Sequence, residues 1–233
     1  MTEEFLVGCP VYKRAWILPT WFDHVEKAAA AAGVEPVYVF VVDERDEETI
    51  EVISRRDAAG YVFNVKEQHE HDGARRWNHD RYRWMVNLRN ELLGVVRLVG
   101  PNLFLSLDSD MLLHPDAIKN MMETSEACDA VGGKAYMTDA GTDCPSWANL
   151  KSNGGLHRPD SNGIHRCDVI MAIKLMKPQA YAVDYEFSKQ GEDIGWSIAC
   201  AERGLRFLWD GRVANKHVMT PDRLDKFDKR VGF

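Results

Sequence analysis

The sequence lacks any segment that marks a membrane or secreted protein. Its acidic start, Met1 to Phe5, has neither the basic residues nor the apolar core of a signal peptide. No apolar run approaches the roughly 20 residues that are needed to span a bilayer. We therefore expect a soluble, cytoplasmic protein that has no membrane partner. Internal repeats and low-complexity tracts are also absent, and 233 residues that are 45% hydrophobic predict one domain.

Paired cysteines and regular zinc motifs are missing as well. The five cysteines are scattered along the chain and form no CxxC pair, so we expect free, buried thiols. A polar segment contains His69, His71 and His79, but their spacing follows no zinc-ligand pattern. We expect a loop at 66–79.

The sequence also lacks a net positive charge. The formal charge of −7 counts against a generic nucleic-acid binder, which is usually basic. Charge is nevertheless uneven, because residues 75–89 contain five arginines and a single acid. A local positive face of this kind suits a nucleotide diphosphate or a polynucleotide. DNA therefore stays open as a partner.

What the sequence does contain is a regular alternation of apolar strands and amphipathic helices. This alternation predicts an α/β/α sandwich around a central, mainly parallel sheet, in which ligands bind at the carboxyl ends of the strands. A segment without period, 138–166, is predicted to be a long loop that is functional or mobile. The first predicted strand starts at Phe5, and the others cover 37–42, 61–65, 103–107, 129–137, 169–173 and 205–209. The predicted helices cover 16–32, 47–58, 80–93, 115–127 and 193–203. A polar tail is predicted after the last strand.

An acidic pair, Asp108 and Asp110, follows the apolar run Leu103–Leu107. Because alternate side chains of a strand share a face, both carboxylates can converge on one point. Two nearby anions repel each other unless a cation lies between them, and carboxylate oxygens suit Mg²⁺ or Mn²⁺. The pattern predicts a divalent ion that bridges the protein to a diphosphate. The alternative is that the two acids only end a strand.

This segment, 103–110, resembles the D-x-D strand of GT-A-fold glycosyltransferases, and the resemblance extends over most of the chain. Phe5–Arg14 is similar to the first strand and nucleotide loop of that family. Asp43 matches the position that commonly holds the nucleoside. Gly191-Glu192-Asp193 resembles the x-E-D motif at the head of a helix, and His217 resembles the late histidine that often completes the metal site.

The resemblance implies a single GT-A-like domain over 1–233, with a donor half at 1–110 and an acceptor half and tail at 111–233. It implies an inverting hexosyl- or pentosyltransferase that uses Mn²⁺ or Mg²⁺ and a UDP- or GDP-sugar. Asp193 would be the catalytic base, and Glu192 would bind the acceptor or orient the site. The implied donor contacts are Pro10, Tyr12, Arg14, Asp43, Arg89, Asp108 and Ser109, and the implied metal ligands are Asp108, directly or through water, Asp110 and His217.

Plainer explanations exist for several of these residues. Acidic side chains at a helix N-terminus are favoured by the helix dipole, which alone accounts for Glu192 and Asp193. Arg89 suits a phosphate through bidentate hydrogen bonds, or it lies on a solvated helix face.

Two other functions also remain open at this stage. A nucleotidyltransferase uses paired acids and a metal too, but Cys9–Lys13 lacks the expected glycine-rich phosphate loop. A non-catalytic sugar-nucleotide or nucleic-acid binding module would keep the acidic pair and tolerate loss of Asp193. The acceptor is equally open, and glycans, lipids, proteins, small molecules and modified bases in phage DNA all fit.

Overall fold

A computed structural model describes residues 5–56, 60–65, 78–137, 143–144, 147–150, 156–157 and 162–224. Most of the predicted 66–79 loop, with His69 and His71, lies outside the described residues, and so does the chain beyond 224. Within the described ranges, no helix has the length and apolar character that crossing a membrane requires.

One large sheet organises the molecule. Its main path runs β10-β13-β6-β12-β4-β1-β2-β3, while β5 pairs with β13, β7 pairs with β6, and β11, β8 and β9 form a small separate sheet. The strands are β1 (Phe5–Val11), β2 (Pro36–Asp43), β3 (Gly60–Val65), β4 (Leu103–Leu107), β5 (Met111–Leu112), β6 (Ala130–Met137), β7 (Asp143–Cys144), β8 (Trp147–Leu150), β9 (Leu156–His157), β10 (Ile164–Cys167), β11 (Val169–Ile170), β12 (Ile173–Met176) and β13 (Phe207–His217).

The described strands confirm a mainly parallel sheet with helices on both sides. β1 pairs in parallel with β2 and β4, β2 pairs in parallel with β3, and β6 pairs in parallel with β13. β12 is antiparallel to β4 and to β6, and β10 is antiparallel to β13. The helices are α1 (Leu18–Ala32), α2 (Glu47–Ser54), α3 (His79–Val99), α4 (Ala117–Ser125), α5 (Pro178–Tyr181) and α6 (Glu192–Glu202), and a 3₁₀ turn covers Pro221–Arg223.

The sheet is buried on both faces by two apolar cores. One core places Trp21 and Phe22 of α1 against Phe40 of β2. The other packs Leu92 of α3 and Trp196 of α6 against the opposite face. Each fully buried large side chain contributes about 1.5–3 kcal/mol. Burial on both faces explains why the central strands are continuous apolar runs rather than alternating ones.

Several predicted elements differ from those observed. The predicted strand 169–173 is interrupted at Ala172, whose φ of 48° ends β11 and separates it from β12. The 138–166 segment is not wholly a loop, since β7, β8 and β9 lie within it and β10 begins there. The polar tail predicted after residue 209 is wrong, because β13 continues to His217 with an irregularity between Asp210 and Ala214.

The second part of β13 was not predicted as a strand because it is polar, and its polar side chains form hydrogen bonds inside the fold. Asp210 accepts hydrogen bonds from Thr124 (2.7 Å) and Arg212 (2.8 Å). Asn215 donates to the carbonyl of Lys134 at 2.7 Å. The four described cysteine side chains confirm the expected free, buried thiols, and they are Cys9, Cys128, Cys167 and Cys200.

Candidate active site

The acidic motif lies in a turn at the carboxyl end of β4. The backbone N–H of Met111 donates to the carbonyl of Asp108 at 3.0 Å, which closes the turn. The Asp108 N–H donates to the carbonyl of Ala172 at 2.9 Å, and the Trp21 indole donates to the Asp108 carbonyl at 3.1 Å. Strand alternation therefore stops before Asp110. Ser109 is buried within this turn.

Asp110 and His217 meet although 107 residues separate them in the chain. β5 pairs with β13 so that Met111 lies opposite His217, and Val218 N–H donates to the Asp110 carbonyl at 2.8 Å. This pairing brings His217 Nε2 to 3.5 Å from Asp110 Oδ1. A carboxylate oxygen and an imidazole nitrogen at this spacing can share one cation.

Two arginines neutralise the two carboxylates. Arg14 Nη2 lies 3.1 Å from Asp110 Oδ2, and Arg89 Nη2 lies 2.5 Å from Asp108 Oδ1. Arg89 is 2% exposed and also donates to Ser106 Oγ at 3.3 Å. Burial lowers the pKa of Arg89, but Asp108 and the other nearby acids raise it well above its ordinary value. Arg89 is therefore a charged group inside the site, and the solvated-face explanation does not describe it.

A complete metal cage is not preformed. Among the described residues, no three His, Cys, Asp or Glu side chains cluster closely enough to hold a metal ion. Asp110 and His217 supply one oxygen and one nitrogen, which fit Mn²⁺. Divalent ions that assist phosphate chemistry commonly take their remaining ligands from the substrate and water. The residues present thus fit an ion that binds together with a diphosphate.

The predicted nucleoside side of the site lies at the same edge of the sheet. Asp43 ends β2, is 1% exposed, and accepts hydrogen bonds from Arg45 Nε (3.1 Å) and Nη2 (3.0 Å). These bonds to Arg45 hold the pKa of Asp43 below its ordinary value despite burial. The loop after β1 is tied to α2, because Arg14 N–H donates to Thr49 Oγ1 at 3.1 Å. Pro10 and Tyr12 lie half-buried where β1 runs into that loop.

Glu192 and Asp193 open α6 and have opposite pKa shifts. Burial raises the pKa of Glu192 to about 7, and the neighbouring Asp193 adds to the rise. Burial also raises the pKa of Asp193, but Lys174 and Arg89 outweigh it and lower that pKa below its ordinary value. The side chain of Asp193 keeps 15% exposure, whereas Glu192 is 6% exposed. Asp193 therefore ionises at a lower pH than Glu192, and its side chain keeps partial exposure.

Lys174 is a member of the site that sequence reasoning missed. It lies on β12, has no exposed surface, and forms an ion pair with Asp193. A signal was present, because Lys174 is the only charged residue in the otherwise apolar run 169–176. A charge in a strand that is buried on both faces needs a partner, and such a partner is commonly part of a site.

Comparisons with known proteins were made at the level of sequence and of structure. No family model and no curated protein matches the sequence. S. aureus TarS 1–349 in complex with UDP-GlcNAc is similar with a TM-score of 0.63 and 14% identity, over 93% of this chain and 59% of that one. Mannosyltransferase PcManGT from Pyrobaculum calidifontis, in complex with GDP-Man and Mn²⁺, is similar with a TM-score of 0.57 and 13% identity, over 91% and 56%.

A third similar structure belongs to another class of transferase. The inositol-1-phosphate CTP transferase from T. maritima has a TM-score of 0.57 and 13% identity, over 96% of this chain and 92% of its own. This chain thus spans less than two thirds of the TarS and PcManGT structures and nearly all of the CTP transferase. The strand order, the helices on both faces and these likenesses together show that the chain has a GT-A-like α/β fold.

Proposed function

We propose that this chain is a metal-dependent glycosyltransferase that moves a hexose or pentose from a UDP- or GDP-sugar to a hydroxyl acceptor, with inversion. One observation carries the proposal: Asp110 and His217 meet beside Arg14, while Arg89 pairs with Asp108 of the same acidic motif and is close enough to Glu192 and Asp193 for their charges to raise its pKa. A site for a nucleotide diphosphate and a site for proton transfer therefore share one edge of the sheet.

The donor half, 1–110, would bind the nucleotide. Asp43 holds the nucleoside, Pro10 and Tyr12 lie at its edge, and Arg14 faces the diphosphate. Asp108 and Ser109 contact the donor from the turn after β4. Arg89 retains a buried Nε without a hydrogen-bond partner among the described residues, which leaves one donor for a phosphate or for ordered water.

The acceptor half, 111–233, would supply the proton transfer. Asp193 takes the proton of the acceptor hydroxyl as its oxygen bonds to the anomeric carbon. The bond from that carbon to the diphosphate breaks, and its electron pair leaves with the diphosphate. Asp110 and His217 would hold the divalent ion, which would supply stabilisation of the charge on that leaving group. Glu192, which is buried beside Asp193, orients the site.

The similar structures support this assignment at the level of chemistry. TarS was solved with UDP-GlcNAc and PcManGT with GDP-Man and Mn²⁺, so proteins of this fold bind both donor classes. The CTP transferase has the same fold and represents the alternative reaction. Nucleotidyl transfer releases pyrophosphate, whereas glycosyl transfer releases a nucleoside diphosphate.

The product released decides between the two reactions. The protein is incubated with Mn²⁺, a panel of UDP- and GDP-sugars, and acceptors that include glycans, small polyols and hydroxymethylated DNA. We expect release of nucleoside diphosphate, and its loss in Asp110→Asn, because that carboxylate holds the ion. Asp116→Asn, an exposed acid near the start of α4, is the matched control and should retain activity. Pyrophosphate release, or full activity of Asp110→Asn, would contradict the proposal.

A further inference from the structure

Lys174 is a buried cation whose charge is matched inside the site. Its position on β12 lies opposite Ser106 of β4, the residue that Arg89 contacts. Lys174 Nζ lies 5.4 Å from the centre of the Tyr185 ring and 5.8 Å from that of Trp196. Its ion-pair partner is Asp193. A fully buried ammonium is costly without such a partner, so removing one member of the pair destabilises the other in its buried position.

A residue with strained backbone, Ala172, precedes β12 and contacts the acidic turn. Ala172 has a φ of 48°, a left-handed conformation that non-glycine residues rarely adopt. Its N–H lowers the pKa of Asp193, and its carbonyl accepts a hydrogen bond from the N–H of Asp108. Strained backbone of this kind persists where the surrounding structure holds it, and it is concentrated at functional sites. One residue therefore holds the acidic turn and also lowers the pKa of Asp193.

The charges of the buried network are matched in pairs. Arg89 pairs with Asp108, and Lys174 pairs with Asp193. Glu192 is a third acid, and it has no ion pair of its own among the described residues. Lys174 thus gives Asp193 a counter-ion, and no described residue forms an ion pair with Glu192.

We infer that Lys174 is a positioning residue of the transfer reaction, which holds Asp193 as an oriented carboxylate that faces the acceptor hydroxyl. The inference rests on the proposed function and names a residue that acts through Asp193 without touching the substrate. The proton of the acceptor moves to Asp193, the acceptor oxygen bonds to the anomeric carbon, and the diphosphate leaves with the electron pair. Lys174 keeps its own proton throughout.

The inference predicts a change in the pH dependence of transfer. Transfer requires ionised Asp193, so the acid limb of kcat/KM follows the pKa of that carboxyl. The groups that face it are Lys174 from β12, Arg89 from α3, Asp108 from the end of β4, Tyr185 before α6, and Glu192 beside it. Removing the lysine charge leaves burial and the acids to raise the pKa of Asp193, and the acid limb should move to higher pH.

The test compares Lys174→Met and Lys174→Gln with the wild-type enzyme, the glutamine keeping a hydrogen-bond donor in case the methionine variant fails to fold. Release of nucleoside diphosphate is measured from pH 5 to pH 9 with the best donor. We expect the acid limb to rise by roughly one unit or more, the effect of one nearby opposite charge on a carboxyl pKa. Lys134→Met is the matched control, because Lys134 is a buried sheet lysine that bonds Asn162.

A second readout does not need turnover. The carboxyl carbon of Asp193 is titrated by NMR in the wild type and in the Lys174 variants, with Asp193→Asn to assign the signal. An acid limb and a carboxyl titration that both stay at the wild-type pH in a folded Lys174 variant would overturn the inference. Absence of sugar transfer by the wild-type protein with every donor would instead contradict the proposed function, and this inference with it.

Discussion

Glu192 shows what a single missing counter-ion does to a buried carboxyl group. Asp193, the next residue, is ion-paired with Lys174 and has a lowered pKa. Burial, with Asp193 nearby, raises the pKa of Glu192 to about 7. The surroundings therefore shift the pKa values of two adjacent acids in opposite directions, which is the arrangement from which acid–base roles are divided.

The raised pKa of Glu192 predicts a pH-dependent stability. Below pH 4.5, its ordinary pKa, the carboxyl is protonated in the folded and the unfolded protein, and the shift costs nothing. Between pH 4.5 and about 7 the unfolded chain ionises first, so stability falls as the pH rises. Glu192→Gln should remove a penalty on the order of 3 kcal/mol at pH 8.

Urea unfolding at pH 4 and at pH 8 measures this effect. Glu192→Gln should gain stability over the wild type at pH 8 and show little gain at pH 4. Glu202→Gln, at the exposed end of the same helix, serves as the control and should show no such difference. A gain that is equal at both pH values would contradict the assignment of a raised pKa.

At this scale the sequence was informative where residue type alone restricts the chemistry. The structure brings Asp110 and His217 together, as the family resemblance required, although the contribution of each to a metal site stays a prediction. Lys174 and Ala172 could not be assigned, because their roles depend on which strands flank β12. That neighbourhood is set by pairing between segments that are far apart in the chain.

At the scale of the secondary-structure element, the position of the start of α6 depends on two glycines. Gly191 precedes the helix with a φ of 128°, which side-chain-bearing residues rarely adopt. Gly195, one turn later, lies so close to the segment before the helix that an added Cβ would be 1.9 Å from the carbonyl oxygen of Glu186. The close approach positions Glu192 and Asp193 against the sheet.

Gly195→Ala should therefore displace α6 and destabilise the protein. The added methyl group meets backbone, which cannot rotate away, so we expect a loss of roughly 1–3 kcal/mol in the free energy of unfolding. Gly94→Ala, in the middle of α3, is the matched control, because nothing lies within 4 Å of its Cβ position. That variant should gain about 0.5–1 kcal/mol. Equal stability of the two variants in chemical denaturation would contradict the packing of α6.

Elements were predictable where one pattern dominates a segment. α1 was expected at 16–32 and covers Leu18–Ala32, since its apolar spacing and Gly33 define both its body and its end. α3 continues to Val99, past the predicted end at 93, because its buried face extends through Val96 to the stop at Gly100. The predicted strand ended at residue 209, before the true end of β13, because the sequence does not distinguish polar residues that form hydrogen bonds inside a fold from polar residues that face solvent.

At the scale of the whole molecule, the site is formed by residues that are far apart in the chain. Arg14 comes from the loop after β1, Asp110 from the turn after β4 and His217 from the end of β13, and they meet at one edge of the sheet. Among the described residues, Asp110 and His217 are the two proposed ligands for a divalent ion there, so the ion and the nucleotide should bind together. Each completes the site of the other, which is positive coupling between two ligands.

This coupling predicts a combined effect on thermal stability. Mn²⁺ alone and UDP or GDP alone should each raise Tm little, and the two together should raise it more than the sum. At a ligand concentration about 100 times Kd the gain in unfolding free energy is about 2.7 kcal/mol. His217→Ala should abolish the excess, and His24→Ala, whose ring bonds the Leu113 carbonyl, should retain it. Additive shifts in the wild type would argue against a shared site.

The class of fold was the most predictable property of the whole. Alternating strands and helices restrict a chain to few sheet topologies, and an α/β/α sandwich was the natural one. The two antiparallel strands of the main path, β10 and β12, were not foreseen, because apolar runs carry no information about strand direction.

The position of β13 inside the sheet, between β6 and β10, has a consequence for how the protein is made. While the chain leaves the ribosome, β6 keeps an unpaired edge on that side until residues 207–217 arrive, and an unpaired edge invites association with other chains. The same residues deliver His217, so this proposed metal ligand arrives in the same step that closes the sheet. We expect the nascent protein to be most vulnerable to aggregation just before it becomes able to function.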